Sequence, residues 1–223
     1  MSEMIVENQA GKYSVELPKR SDLHISRKLW HILTGTTGLL IYAFNDAPIS
    51  LWVLVTLGIG VIGLTFDFFR LRYAGINKFA VKVAGMFYRK GELTSYSGLP
   101  FYALGVGAAL ALFEERIAVL AILFLVLSDP ISSFFGILYG KDKILPNKSI
   151  QGSLAGFFVC YIVTLFYGFA LAEPNSDLIY FAFLAGITGA LSELLSVFAD
   201  DNLTIPVVSG VGLTLLNNFF HIF

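Results

Sequence analysis

Ile117–Tyr139 reads IAVLAILFLVLSDPISSFFGILY, an apolar run broken by one acid and one proline. A run of this length exceeds the ~20 apolar residues that cross a bilayer, so it predicts a transmembrane helix. Six more runs join it, at about 29–44, 50–69, 99–113, 153–172, 178–199 and 205–222, with 99–113 the weakest. Together they predict an all-α, polytopic integral membrane protein of about seven transmembrane helices. Composition agrees: of 223 residues, 56% are hydrophobic and 14% charged, against about 25% charged in soluble domains, and the mean hydropathy is +0.75. A chain this small has too little interior to hide so much apolar surface, so lipid must cover it.

The sequence carries 15 Lys and Arg against 16 Asp and Glu, a net charge of −1. No overall field attracts nucleic acid, and no nucleic-acid partner is expected. The information lies in where the charges sit. Between the second and third spans, about 70–97, Arg70, Arg72, Lys78, Lys82, Arg89 and Lys90 interleave with Phe79, Val83, Met86 and Phe87, a pattern that suits one amphipathic helix lying at the interface. Seven spans place this segment, the polar arm 1–25, loop 140–152 and loop 200–204 on one side, with 14 of the 15 Lys and Arg; only Arg116 is opposite. The positive-inside rule makes that side, and the N-terminus, cytoplasmic. Residues 26–223 then form a single membrane-embedded domain. The arm precedes the first apolar run, which begins only at Leu29, unlike a cleavable signal. The single cysteine, Cys160, excludes an intramolecular disulfide and a Cys-based zinc site, and reads as packing.

Ionisable residues inside spans are costly and point to function. At the first span R-K-x-x-H places Arg27, His31, Gly35 and Gly38 on one helix face. Arg27 and Lys28 there suit either headgroup snorkelling or ligand contact, and His31 either an interhelical hydrogen bond or a site. In Ser128–Asp129–Pro130 a carboxylate and a proline stand near mid-membrane, predicting a broken span whose half-helix, about 130–139, aims its positive end into the protein. Asp129, Ser133, Gly136 and Gly140 share a face of it; a plain kink is the alternative. The run Lys141, Lys143, Lys148, Ser149, Gly152 and Ser153 could wrap a polyphosphate or could be a solvated loop, and it is not a Walker motif. Glu193 is a further acid inside a span, and Asp200 and Asp201 with Asn202 offer oxygen ligands for Mg²⁺ shared with substrate phosphates; Asp129 with Asp200 or Asp201 is the candidate metal set, and Asp129 or Glu193 the candidate proton acceptor. Thr204 before Pro206 reads as a helix cap. Asn217, Asn218 and His221 lie near the opposite face and are assigned no chemistry.

In order and spacing, R-K-x-x-H (27–31), D-P…G-x-x-x-G-K-x-K-I (129–144), K-S-x-x-G-S-L-A-G (148–156) and D-D-N-L-T-I-P (200–206) resemble the CTP-dependent lipid alcohol kinases. That family includes dolichol kinase, phytol kinase and yeast-type diacylglycerol kinase, and phosphatidate cytidylyltransferases are distantly similar. The resemblance covers about 26–210. It implies a polytopic enzyme that uses CTP and a divalent metal, Mg²⁺, to phosphorylate the hydroxyl of a membrane lipid alcohol at the cytoplasmic face, the alcohol being a polyprenol, phytol or diacylglycerol. Family weight falls on Arg27, Lys28, Asp129 and Gly136, then on Lys141, Lys143, Lys148, Gly152, Asp200, Asp201 and Asn202. Two positions depart from the pattern: Ser128, where a glycine or small residue usually precedes D-P, and Gln151, where Glu usually precedes G-S. If that Glu has a metal or base role, Glu193 or the Asp200–Asp201 pair must take it here. A CDP-lipid synthase and a transporter are the alternative readings. Oligomeric state and the particular alcohol are not legible.

Overall fold

The computed structural model describes residues 23, 25–85, 88–172 and 175–223. Apart from Leu23 and Ile25, the expected arm 1–25 lies outside the described residues, as do Met86 and Phe87. The described chain is almost wholly helical: α1 (Ile25–Ala43), α2 (Ile49–Arg72), α3 (Ala74–Ala84), α4 (Gly98–Leu112), α5 (Glu115–Leu123), α6 (Asp129–Leu138), α7 (Ile150–Leu171), α8 (Leu178–Leu195) and α9 (Asp201–Phe220). One small departure from all-α is an antiparallel hairpin, β1 (Lys143–Leu145) and β2 (Lys148–Ser149). Its turn is Pro146–Asn147, with Asn147 at φ 66°, the left-handed conformation that an Asn after Pro supplies in a tight turn.

Five helices among the described residues are long and apolar enough to cross a membrane: Ile49–Arg72, Glu115–Leu138, Ile150–Leu171, Leu178–Leu195 and Asp201–Phe220. The expected count of seven is therefore not reached. The segment α4 is apolar but has only 15 residues, and α1 has 19 residues but spends its first two turns on Arg27, Lys28 and His31. Large apolar side chains such as Ile62, Phe166, Phe169 and Phe219 stay exposed on the outer faces, which a lipid solvent explains and water does not.

The Glu115–Leu138 rod is the central element. Ile117, Leu120, Phe124 and Leu125 are buried against Cys160 of α7, Phe181 of α8, and Ile205 and Leu213 of α9. Cys160 is a packing residue, as its sequence context predicts. The rod does not break at Asp129–Pro130. A π turn over Phe124–Ser128 joins α5 to α6, with the Asp129 N–H donating to the Phe124 carbonyl five residues back. Proline has no N–H and crowds the carbonyl four residues behind it; widening the preceding turn absorbs this without exposing a bare helix end. The expected half-helix is thus a bulged continuous helix, a feature common at functional sites.

The single interfacial helix expected over 70–97 is also corrected. Arg70 and Arg72 end α2, α3 follows, and a 3₁₀ turn, Lys90–Leu93, leads into α4. Arg70 is not at an interface: it is fully buried, ion-paired to Asp67 at 2.8 Å. Its guanidinium also donates to Asn77 Oδ1 and to the carbonyls of Glu92 and Ser95. The second Asp67 oxygen accepts from the N–H and hydroxyl of Ser97, and Asn77 donates to the Leu93 carbonyl. A buried charge is tolerable only when so fully bonded. This knot fixes the 3₁₀ turn against α2 and α3.

At the far end Asn217 caps α9, accepting from the N–H groups of Ile222 and Phe223 and donating to the Phe223 carbonyl. His221 takes a left-handed φ of 51° there.

Candidate active site

At one end of the bundle a cavity of about 230 Å³ collects side chains from six separate segments. Helix α1 brings Arg27, Lys28 and His31, the strand-like approach to the 3₁₀ turn brings Arg89, and α6 brings Asp129, Ser132, Ser133 and Gly136. The hairpin brings Lys143, Asn147, Lys148 and Ser149, with Gly152 beginning α7. Glu193 comes from α8, and Asp201 and Asn202 from α9. Five cations thus face three carboxylates in a site walled by apolar helices, where charges are weakly screened. Such a balance suits a polyphosphate that arrives with a divalent cation.

The individual contacts are specific. Arg27 Nη1 meets Glu92 Oε1 at 2.8 Å, and Glu92 is held in turn by the Arg89 N–H on its other oxygen. Lys28 Nζ donates to Ser133 Oγ at 2.9 Å. His31 Nε2 lies 3.1 Å from the Leu125 carbonyl; a carbonyl only accepts, so that nitrogen carries the hydrogen. The π turn supplies the acceptor. Lys148 Nζ pairs with Glu193 Oε1 at 2.5 Å, while Glu193 Oε2 is buried with no partner. Asp129 makes no side-chain hydrogen bond to any described residue, and its acidic neighbours are Asp201 and Glu193. Ser149 caps α7, its hydroxyl accepting from the Gly152 N–H. A Cβ on Gly152 would stand 2.9 Å from the Ser132 carbonyl oxygen and 3.1 Å from Gly136 Cα, so only glycine lets α6 and α7 close beneath the hairpin.

Several expected residues fall elsewhere. Lys141 is exposed and does not line the cavity. Gly140 packs against Gly136 and Ser149, and the Ser153 hydroxyl is buried without a partner. Asp200 is the cap of α9, its Oδ1 accepting from the Asn202 backbone at 3.1 Å and side chain at 2.8 Å. Burial and the neighbouring Asp201 push its carboxyl up to about 6. Thr204 is therefore not the cap; its hydroxyl donates back to the Asp200 carbonyl inside the first turn. Pro206 lies within α9 and cannot donate to the Asn202 carbonyl, which instead rests against Gly105 of α4. Gln151, the departure from the family pattern, hydrogen-bonds Asp142 at 2.7 Å outside the cavity. Ser128, the other departure, ties the π turn to α7 through the Gly156 carbonyl.

The profile of the cytidylyltransferase family matches residues 45–200. The chain belongs to that family. Among curated proteins it is 32% identical over 206 residues to the CTP-dependent diacylglycerol kinase 1 of Schizosaccharomyces pombe, covering 86% of this chain and 93% of the relative. The corresponding proteins of Eremothecium gossypii and Saccharomyces cerevisiae are 31% and 30% identical, over 84% of this chain in each case and 65% and 71% of the relative. No solved structure matches it. The resemblance read from the motifs to the CTP-dependent lipid alcohol kinases thus holds across most of the chain.

Family membership does not by itself reveal the parts of the site that sequence reasoning misses. The family match leaves out Arg27–His31 and Asp201–Asn202, which the sequence motifs already single out and which wall the cavity; the residues that the motifs miss are others. Arg89 was legible only as interfacial charge. Glu92 and Asn147 carry no motif. Gly98, at the start of α4, is a further such residue: a Cβ there would stand 2.6 Å from an Arg27 guanidinium nitrogen and 2.9 Å from the Asn202 amide. A signal did exist for the supporting knot, since Asp67 is an acid inside an apolar run with Arg70 one helical turn later.

Proposed function

We propose that this protein transfers the γ-phosphoryl group of CTP to the free hydroxyl of diacylglycerol within the membrane, at a site opening to the cytoplasm. One observation carries the reading: cations and carboxylates from six segments, distant in sequence, meet in a single cavity at one end of an apolar helix bundle. The similarity to CTP-dependent diacylglycerol kinases over more than four-fifths of the chain supplies donor and acceptor. Sidedness rests on the charge pattern of the sequence, in which seven spans would put 14 of the 15 Lys and Arg on the side of segments 27–31, 140–152 and 200–204, whose residues line this cavity.

The donor set suits Mg²⁺. A hard cation of this kind takes one or two protein carboxylates and completes its shell with phosphate and water, and the cavity offers such carboxylates. Asp201 would hold it, Asp129 staying open to take a proton; Asp200 is spent on its cap. When bound, the metal neutralises phosphate charge and draws the phosphates into line.

The remaining roles belong to the chain. Lys143 and Lys148 grip the triphosphate, and Glu193 aims Lys148 through their ion pair. Arg27 and Lys28 face the transferring group and stabilise the charge spread over its oxygens; their bonds to Glu92 and Ser133 fix them beforehand. The lipid oxygen forms a bond to the γ-phosphorus, the bond to the β,γ-bridging oxygen breaks, and CDP leaves. The hydroxyl proton passes to Asp129, the cavity carboxylate without a hydrogen bond of its own. Replacing Asp129 by Asn is expected to lower γ-phosphoryl transfer by about 10²–10⁴-fold with expression and detergent extraction unchanged. A fully active variant would remove Asp129 from the mechanism.

A further inference from the structure

A second cavity, about 310 Å³, adjoins the first across Arg27, His31 and Asn202, which line both. Its chemistry differs. Trp30, Ala84 and Leu99 give it apolar walls, with hydroxyls from Thr34, Tyr88 and Tyr102. Trp30 and Leu99 are 46% and 62% exposed on α1 and α4, so its rim lies where lipid would touch the bundle. The Tyr102 hydroxyl stands near Thr34 but completes no hydrogen bond. It is a buried polar group that a ligand oxygen would satisfy. Among the lining residues Arg27 is the one Lys or Arg, and it is neutralised by Glu92 at 2.8 Å. An anionic headgroup would meet Glu92 as well as Arg27; a neutral one pays no such repulsion.

We propose that this cavity is the acceptor site. It holds the glycerol and ester region of a neutral lipid with one free hydroxyl, with the acyl chains leaving past Trp30 and Leu99 into the bilayer. The hydroxyl is presented between Arg27 and His31 to the Asp129 cavity. The volume suits a headgroup region and not two whole chains, which is what a substrate anchored by its tails requires. The inference rests on the kinase reading for the fate of the hydroxyl, but the occupant of the cavity can be tested without turnover.

The test uses the full chain in nanodiscs containing a diacylglycerol with a diazirine beside one ester, irradiated and mapped by peptide mass spectrometry. Adducts are expected on the α1 and α4 segments around Trp30 and Leu99, competed by unlabelled dioleoylglycerol and not by phosphatidylserine, whose charged headgroup is not a product of the reaction. The variant Ala84→Phe, which fills the cavity, is expected to lower this labelling and raise the apparent KM for diacylglycerol by about tenfold, while thermal stabilisation by CTP persists. Adducts spread over the outer helix faces and insensitive to competitor would overturn the proposal, as would competition by phosphatidylserine. Label transfer from γ-labelled CTP in the same nanodiscs separates the two claims. Adducts in the cavity without transfer keep the acceptor site and refute the kinase; transfer with adducts elsewhere keeps the kinase and refutes the site.

Discussion

Lys141 and Lys148 sit seven residues apart in one basic loop and have opposite fates. Lys148 pairs with Glu193 inside the cavity, whereas Lys141 is exposed outside it. The charge-run reading treats the two alike because a loop's composition does not say which way a hairpin folds; the Pro146–Asn147 turn decides that. Lys148→Ala is therefore expected to raise the KM for CTP by about tenfold or more, losing a charge-assisted contact and leaving Glu193 buried and unpaired. Lys141→Ala should stay within about twofold of the parent, as surface charges usually do. Steady-state kinetics on both variants checks this, and equal losses would contradict the geometry. Gln151 argues similarly. Its bond to Asp142 lies outside the cavity, so the family's Glu has no ligand to meet there, and Gln151→Glu is expected to leave turnover within about twofold while placing like charges together at an exposed site.

Elements show where sequence reasoning carries and where it stops. The apolar run 117–139 is legible as a spanning helix because length and composition alone decide it. The Asp129–Pro130 signal marks the right place, but whether a proline breaks a membrane helix or widens one turn depends on the carbonyls and neighbours around it. Here the π turn also supplies the Leu125 carbonyl to His31. The knot around Arg70 is less legible, because its partners, Asn77, Glu92, Ser95 and Ser97, lie on separate segments. Its role is to hold the turn that carries Glu92, and so Arg27. Asp67→Ala is expected to destabilise the fold by about 3–5 kcal/mol, the cost of leaving a buried charge unpaired, seen as a lowered melting temperature in detergent. Gly98→Ala should do something different: its methyl would press on Arg27 and Asn202, so turnover should fall more than stability. A variant that unfolds without a separate loss of turnover would assign Gly98 to packing alone.

For the whole molecule, the arrangement solves a problem of phases. The nucleotide is water-soluble and the acceptor is not, so the chemistry must happen where a polar end meets an apolar bundle. Charges from segments between Arg27 and Asp201 converge on one end, and the neighbouring cavity opens beside the exposed apolar side chains of Trp30 and Leu99. The motif order makes this convergence legible as a function, while Arg89 in its wall, and Glu92 and Gly98, which press on Arg27 from the neighbouring cavity, emerge only from folding. A transporter is less well served, since these groups gather at one end instead of along a path. A CDP-lipid synthase would use the same cations on the same nucleotide and differs in which phosphorus is attacked. The most direct measurement therefore follows phosphorus: purified protein, Mg²⁺, diacylglycerol and phosphatidate in mixed micelles, with CTP labelled separately at the α and γ positions. The account requires γ label in a lipid phosphomonoester with CDP released. Label from the α position alone, accompanied by pyrophosphate, would contradict it.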